Sequence, residues 1–92
     1  MPKIVLTAQV EDTAAWEPKF RSHADMFRKF GMADTYEYSI GDNSEVAVCV
    51  DVSDANAFLE MLASPENVAA MENDGVNRDT VKVFVVDKTL QL

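Results

Sequence analysis

Cysteine, histidine and tryptophan each occur once in this chain, as Cys49, His23 and Trp16, and glycine and proline occur three times each. These scarcities remove whole classes of chemistry. A single cysteine forms no disulfide framework, and a lone thiol fits a reducing compartment. One histidine and one cysteine do not make the usual zinc ligand sets, and Asp42-Asn43-Ser44-Glu45 is too short for a calcium loop. No metal site is expected. The glycines fall at turn or cap positions, so no glycine-rich phosphate cradle is present and no nucleotide or other cofactor is expected. No apolar run reaches the roughly 18–20 residues of a bilayer span, and no signal-peptide pattern opens the chain. The expected location is cytoplasmic.

Positive charge is scarce too. Eight Lys and Arg stand against sixteen Asp and Glu, a net charge of −8. Such a surface repels phosphate backbones and anionic headgroups, so neither nucleic acid nor membrane is an expected partner. Lys19, Arg21, Arg28 and Lys29 share one segment, but acids flank them and they read as the solvated face of a helix. The acidity itself serves solubility.

What remains is periodicity. Ninety-two residues amount to one domain, spanning residues 1–92. A chain this short buries only roughly 60–65% of its unfolded surface, which makes a partner subunit a natural source of stability. Lys3 to Val10 alternates as a half-buried strand, with Ile4, Leu6, Ala8 and Val10 on one face. Asp12 then caps a turn over Thr13–Trp16, and the main helix is predicted from Pro18, at its first position, to a Gly31 cap. Trp16, Phe20, His23, Phe27 and Phe30 recur at intervals of three and four, one stripe of that helix.

Thr35–Ile40 and Glu45–Val52 are predicted strands joined by the turn Gly41-Asp42-Asn43-Ser44. Ser53 or Asp54 caps a second helix that buries Ala57, Phe58, Met61 and Leu62. Ser64-Pro65-Glu66 restarts the chain as a further helix with Val68 and Met71 inward, ended by Asp74-Gly75. The last strand is Thr80 to Asp87. The order β-α-β-β-α-β is the ferredoxin-like split βαβ pattern: an α+β fold with a four-stranded antiparallel sheet and the helices on one face. The other face carries Val5, Cys49 and either Val85 or Val86, and covering it with a second copy would close a barrel across a two-fold axis.

Several strings carry a family likeness: Val10-Glu11-Asp12, then Trp16, Phe20, His23 and Gly31; and Val52, Ala57-Phe58-Leu59, Ser64-Pro65-Glu66, Met71 and Gly75-Val76. Across nearly the whole chain they resemble the dimeric α+β-barrel superfamily, which includes the antibiotic-biosynthesis-monooxygenase-like proteins. The resemblance implies a homodimer with a pocket in each subunit between helices and sheet. It also implies a choice among cofactor-free oxygenation, haem breakdown and small-molecule isomerisation. Haem-binding members place a histidine in the second half and a tryptophan on the sheet. This chain has no histidine after His23 and only Trp16 in its first helical region, so haem breakdown is demoted.

His23 is the candidate catalytic residue. It is either a general base facing the pocket or a half-buried histidine satisfied by a structural partner. Candidate ligand contacts are Trp16, Phe20, His23, Phe27, Tyr36, Tyr38, Met61 and Met71. The tyrosines, which share one strand face, read equally as amphipathic caps on the core, and the methionines as core filling. Cys49 has no neighbouring base in sequence and reads as a sheet residue on the dimer side. One functional reading is a dimer binding an apolar, fatty-acid-like or polyketide-like molecule. The second is a cofactor-independent monooxygenase or isomerase with His23 as proton acceptor, and the third a structural dimer without ligand. A second polar group converging on His23 would separate the first two.

Overall fold

A computed structural model describes all residues from Met1 to Leu92. The elements run β1 (Lys3–Val10), α1 (Thr13–Arg21), α2 (Ala24–Lys29), β2 (Met32–Ile40), β3 (Glu45–Val52), α3 (Ala55–Leu62), α4 (Pro65–Asn73) and β4 (Val76–Val86). The strands form one antiparallel sheet in the order β2-β3-β1-β4.

Alternation decides which face the helices cover. Val46, Val48, Val50 and Val52 of β3 are buried, while the residues between them are only half-buried. Their β1 partners Ala8, Leu6 and Ile4 lie on the same face, because side chains paired across a ladder share a side. Against this face pack Trp16, Phe27, Phe58 and Met61, which complete a single core cluster. No helix is long and apolar enough to cross a membrane.

The first helical region differs from its sequence expectation. Asp12 caps α1, its Oδ1 accepting from Ala14 and Ala15 N–H at 2.9 and 3.3 Å, so the helix starts at Thr13 with Pro18 inside it. The break falls at Ser22–His23 instead. There the Ser22 hydroxyl donates to the Lys19 carbonyl at 2.5 Å, and the Ser22 N–H is shared between Pro18 and Lys19 carbonyls. Such side-chain competition for backbone acceptors is a known way to end a helix. His23 then starts α2, its carbonyl accepting from Phe27 N–H.

The strand ends shift as well. β2 begins at Met32 rather than Thr35 and carries an irregularity before Tyr36. β4 begins at Val76 rather than Thr80, because Val76 and Asn77 already pair with Val10 and Gln9 before the strand bulges. Phe84 pairs with Val5 and Val86 with Lys3, which puts Val86 rather than Val85 on the outer face. Asp54, not Ser53, caps α3 through Ala57 N–H at 3.1 Å. In α4 the buried residue is Asn67, while Val68 is only half-buried.

Gly31 turns the chain from α2 into β2 at φ +95°, where a Cβ would also collide with the Ser53 hydroxyl. Gly31→Ala should therefore cost about 1–3 kcal/mol. Gly41→Ala, at a turn without positive φ where a Cβ would make only ordinary contacts with Glu45, should stay within about 0.5 kcal/mol of wild type. Urea denaturation midpoints measure both, and equal midpoints would remove the strain argument.

Candidate functional site

Between the helices and the sheet lies a cavity of about 70 Å³. Its walls are largely apolar, built from Leu6, Ala8, Val46 and Val48 on the sheet and from Trp16, Phe20, Phe27 and Phe58 on the helices. Four polar side chains interrupt this lining: Thr7 on β1, His23 at the start of α2, Asn67 on α4 and Asp74 at its C-cap. An apolar cavity with a few converging polar groups is the usual form of a small-molecule site, although such sites generally enclose about 300–1,000 Å³. This one accommodates only a small part of a polyketide-sized molecule.

His23 Nε2 lies 3.0 Å from Asp74 Oδ2, across 51 positions of sequence. The Asp74 side chain is 7% exposed and that of His23 is 26% exposed. Asp74 is also the C-cap of α4, at the negative end of the helix dipole, where a carboxylate is disfavoured unless a donor meets it. A carboxylate accepts such a bond, so Nε2–H is the donor when Asp74 is the acceptor, and Nδ1 lies outside the pair. The imidazole is thus oriented by a carboxylate through one nitrogen, with the other left for a ligand. That arrangement can hold a ligand hydroxyl or take its proton.

Asn67 is placed by the capping of α4. Its N–H bonds the Ser64 hydroxyl at 3.3 Å and its side-chain Nδ2 donates to the Leu62 carbonyl at 3.0 Å. At 3% exposure, Asn67 lies one helical turn before Met71 and two before Asp74 on the same cavity-lining face. Sequence reasoning passed over both Asn67 and Asp74. The signal was the spacing of Asn67, Met71 and Asp74 at four and three, which sets the inward stripe of α4 one residue away from Val68.

Five of the predicted ligand contacts line the cavity: Trp16, Phe20, His23, Phe27 and Met71. The other three lie elsewhere. Met61 is sealed in the core at 2% exposure, and Tyr38 is 44% exposed beside Trp16, with ring centroids 6.0 Å apart. Tyr36 stands on the far side of Phe20, lining a separate cleft with Arg21 and Arg28. Its hydroxyl donates to Glu17 Oε1 at 2.8 Å. Burial, then that hydrogen bond and the nearby Glu17 charge, push its phenol up to about 12.

These elements define a ferredoxin-like α+β fold, which solved structures of proteins described as antibiotic biosynthesis monooxygenases share. No family model matches the sequence, and no curated protein matches it. Among solved structures, a provisionally named antibiotic biosynthesis monooxygenase from Bordetella bronchiseptica matches at a TM-score of 0.72 and 11% identity, over 97% of each chain. SnoaB, a cofactor-independent oxygenase from Streptomyces nogalater, matches at a TM-score of 0.65 and 22% identity, over 99% of this chain and 95% of its own. A protein of Arabidopsis thaliana, At3g17210, matches at a TM-score of 0.66 and 15% identity, over 100% of this chain and 99% of its own. At these identities the likeness establishes the fold.

The Tyr36 geometry carries a pH dependence with a definite sign. A phenol raised from 10.0 to about 12 is held neutral by the folded state. Its stabilising contribution is complete below pH 10 and is lost as pH rises through 12. Tyr36→Phe should lose less stability than wild type between pH 10 and 12, read from urea midpoints across that range. Parallel pH profiles for the two proteins would contradict the assignment.

Proposed function

We propose that this protein is a cofactor-independent enzyme of the oxygenase or isomerase type, with His23 as proton acceptor for an enolisable or phenolic small molecule. One observation carries the reading: a buried carboxylate, Asp74, orients the only imidazole of the chain at the wall of an apolar cavity. A proton removed from such a molecule leaves a delocalised anion. In an oxygenase that anion meets dioxygen, and in an isomerase it is reprotonated at another atom. The fold's likeness to the Streptomyces nogalater oxygenase supports the first of these. Asn67 and the aromatic walls formed by Trp16, Phe20 and Phe27 would hold the ring.

A ligand-binding protein without turnover is the second reading, favoured by the small volume of about 70 Å³ and by the need of a buried Asp74 for a donor whatever the function. His23→Gln separates the two, since glutamine can still donate to Asp74 but cannot take up a proton. Turnover of a panel of phenolic and acyl substrates should fall by about 10²–10⁴ in the variant, with the fold intact by circular dichroism. Turnover at the wild-type rate would sink the catalytic role. Asp74→Asn should fall by a smaller factor, through loss of orientation rather than of the base.

The assembly we propose is a homodimer closed through the outer sheet face, with residues 1–92 as one domain. Phe84 and Val86 stand 55% and 45% exposed there, beside Val5 and Cys49. Covering such a row of large apolar side chains is the usual reason for self-association. A lone thiol at Cys49 supports a reducing, cytoplasmic setting. Phe84→Lys should convert a dimer to a monomer by native mass spectrometry at micromolar concentration. A monomeric wild type would refute the assembly.

A further inference from the structure

The cavity volume leaves a question of where the rest of a ligand goes. Three features converge on one end of the sheet. The β1–β4 ladder is interrupted between Thr7 and Gln9: Thr7 faces Lys82 and Gln9 faces Asn77, so the chain between Asn77 and Lys82 bulges out opposite Ala8. Side-chain bonds replace the ladder there, with Gln9 N–H donating to Thr80 Oγ1 at 2.8 Å and Thr80 Oγ1 donating to the Asn77 carbonyl at 2.6 Å. Thr7, Ala8, Val76 and Val81, which flank the interruption, all line the cavity. Bulges of this kind are over-represented beside functional sites, where they end pairing and redirect side chains.

Val76 belongs to two spaces. It lines the interior cavity, and it also lines an open polar cleft of about 550 Å³ formed with Gln9, Glu11, Ser44, Glu72 and Asn77. Asp74 stands two residues before Val76, so a short stretch of chain joins the His23–Asp74 pair, which lines the cavity, to this cleft. The cleft offers amide and hydroxyl groups but carries the charges of Glu11 and Glu72. No cation lines it, and Arg78, next in the chain to Asn77, is engaged by Glu72 at 3.6 Å.

We propose that the cavity opens past Val76 at the β4 bulge onto this cleft, and that the ligand is bipartite. A ring lies inside against the aromatic walls, and an uncharged, hydroxyl-bearing group lies outside against Gln9, Ser44 and Asn77. Anionic groups are disfavoured outside by Glu11 and Glu72. The proposal rests on the reading of the cavity as a ligand site. The competing mouth is the cleft beyond Phe20 and Phe27, where Arg21 and Arg28, paired with Glu17 at 3.5 Å and Asp34 at 3.0 Å, would still tolerate an anionic group better than Glu11 and Glu72 do.

Nuclear magnetic resonance titration of the intact protein with phenol, phenyl β-D-glucoside and benzoate tests this. Phenol should shift resonances of cavity residues alone. The glucoside should shift these together with the amides of Gln9, Ser44 and Asn77, and should bind about tenfold more tightly than benzoate. Replacing both acids, as Glu11→Gln with Glu72→Gln, should narrow that gap while leaving phenol unchanged. Tighter binding of benzoate, or glucoside shifts confined to Arg21, Arg28 and Tyr36, would overturn the bipartite site alone. Absence of any cavity shift with phenol would overturn the ligand reading itself, and this proposal with it.

Discussion

One-sided burial of the two central strands is the constraint on which the rest of this structure depends. β3 presents four valines to one face, and β1 sets Ile4, Leu6 and Ala8 against three of them. An antiparallel sheet can stay wet on one side, but a face this apolar must be covered, so every helix is drawn to it. The stripe from Trp16 through Phe20 to Phe27, with Phe58 and Met61, supplies the cover. The consequence on the opposite side is a bare row of Val5, Phe84 and Val86, with no helix left to shield it.

Close packing of that kind rarely leaves internal space, so the position of the cavity has a local cause. It lies where side chains are small or the backbone departs from regularity: Thr7 and Ala8 on β1, Ala70 on α4, and the bulge of β4 beside them. Two helix ends also meet here. The break at Ser22–His23 turns the imidazole toward the cavity wall, and the end of α4 brings Asp74 to the same place. The pair therefore joins the first helical region to the second as well as furnishing a base. Breaking one partner of a half-buried charged hydrogen bond is costly for the fold alone, which is why a donor-preserving substitution separates structure from chemistry.

The likeness to solved structures at 11–22% identity illustrates the same physics. The fold asks only for alternating apolar strands, capped amphipathic helices and turn residues at the junctions, and many sequences satisfy those demands. A reaction asks for particular atoms at particular distances, which such identities do not carry from one chain to another. In this chain those atoms belong to His23, Asp74 and the side chains of the cavity around them.

Periodicity and composition by themselves determined the class of the fold, the order of its elements and the outer position of Cys49. These properties follow from alternation and from local capping, which act over a few neighbouring residues. The same local logic identified Trp16, Phe20, His23 and Phe27 as one inward stripe, and they do line one cavity. It misplaced the helix break, because whether Pro18 ends a helix depends on how strongly Asp12 has already started it. It placed Val68 inward where Asn67 belongs, since the rotation of α4 is set by the core it meets rather than by its own weak amphipathicity. Only the tertiary structure brought Asp74 to His23, opened β4 beside Ala8 and withdrew Tyr38 and Met61 from the cavity. Contacts between residues far apart in the chain arise from how whole elements pack, and no local pattern encodes that distance.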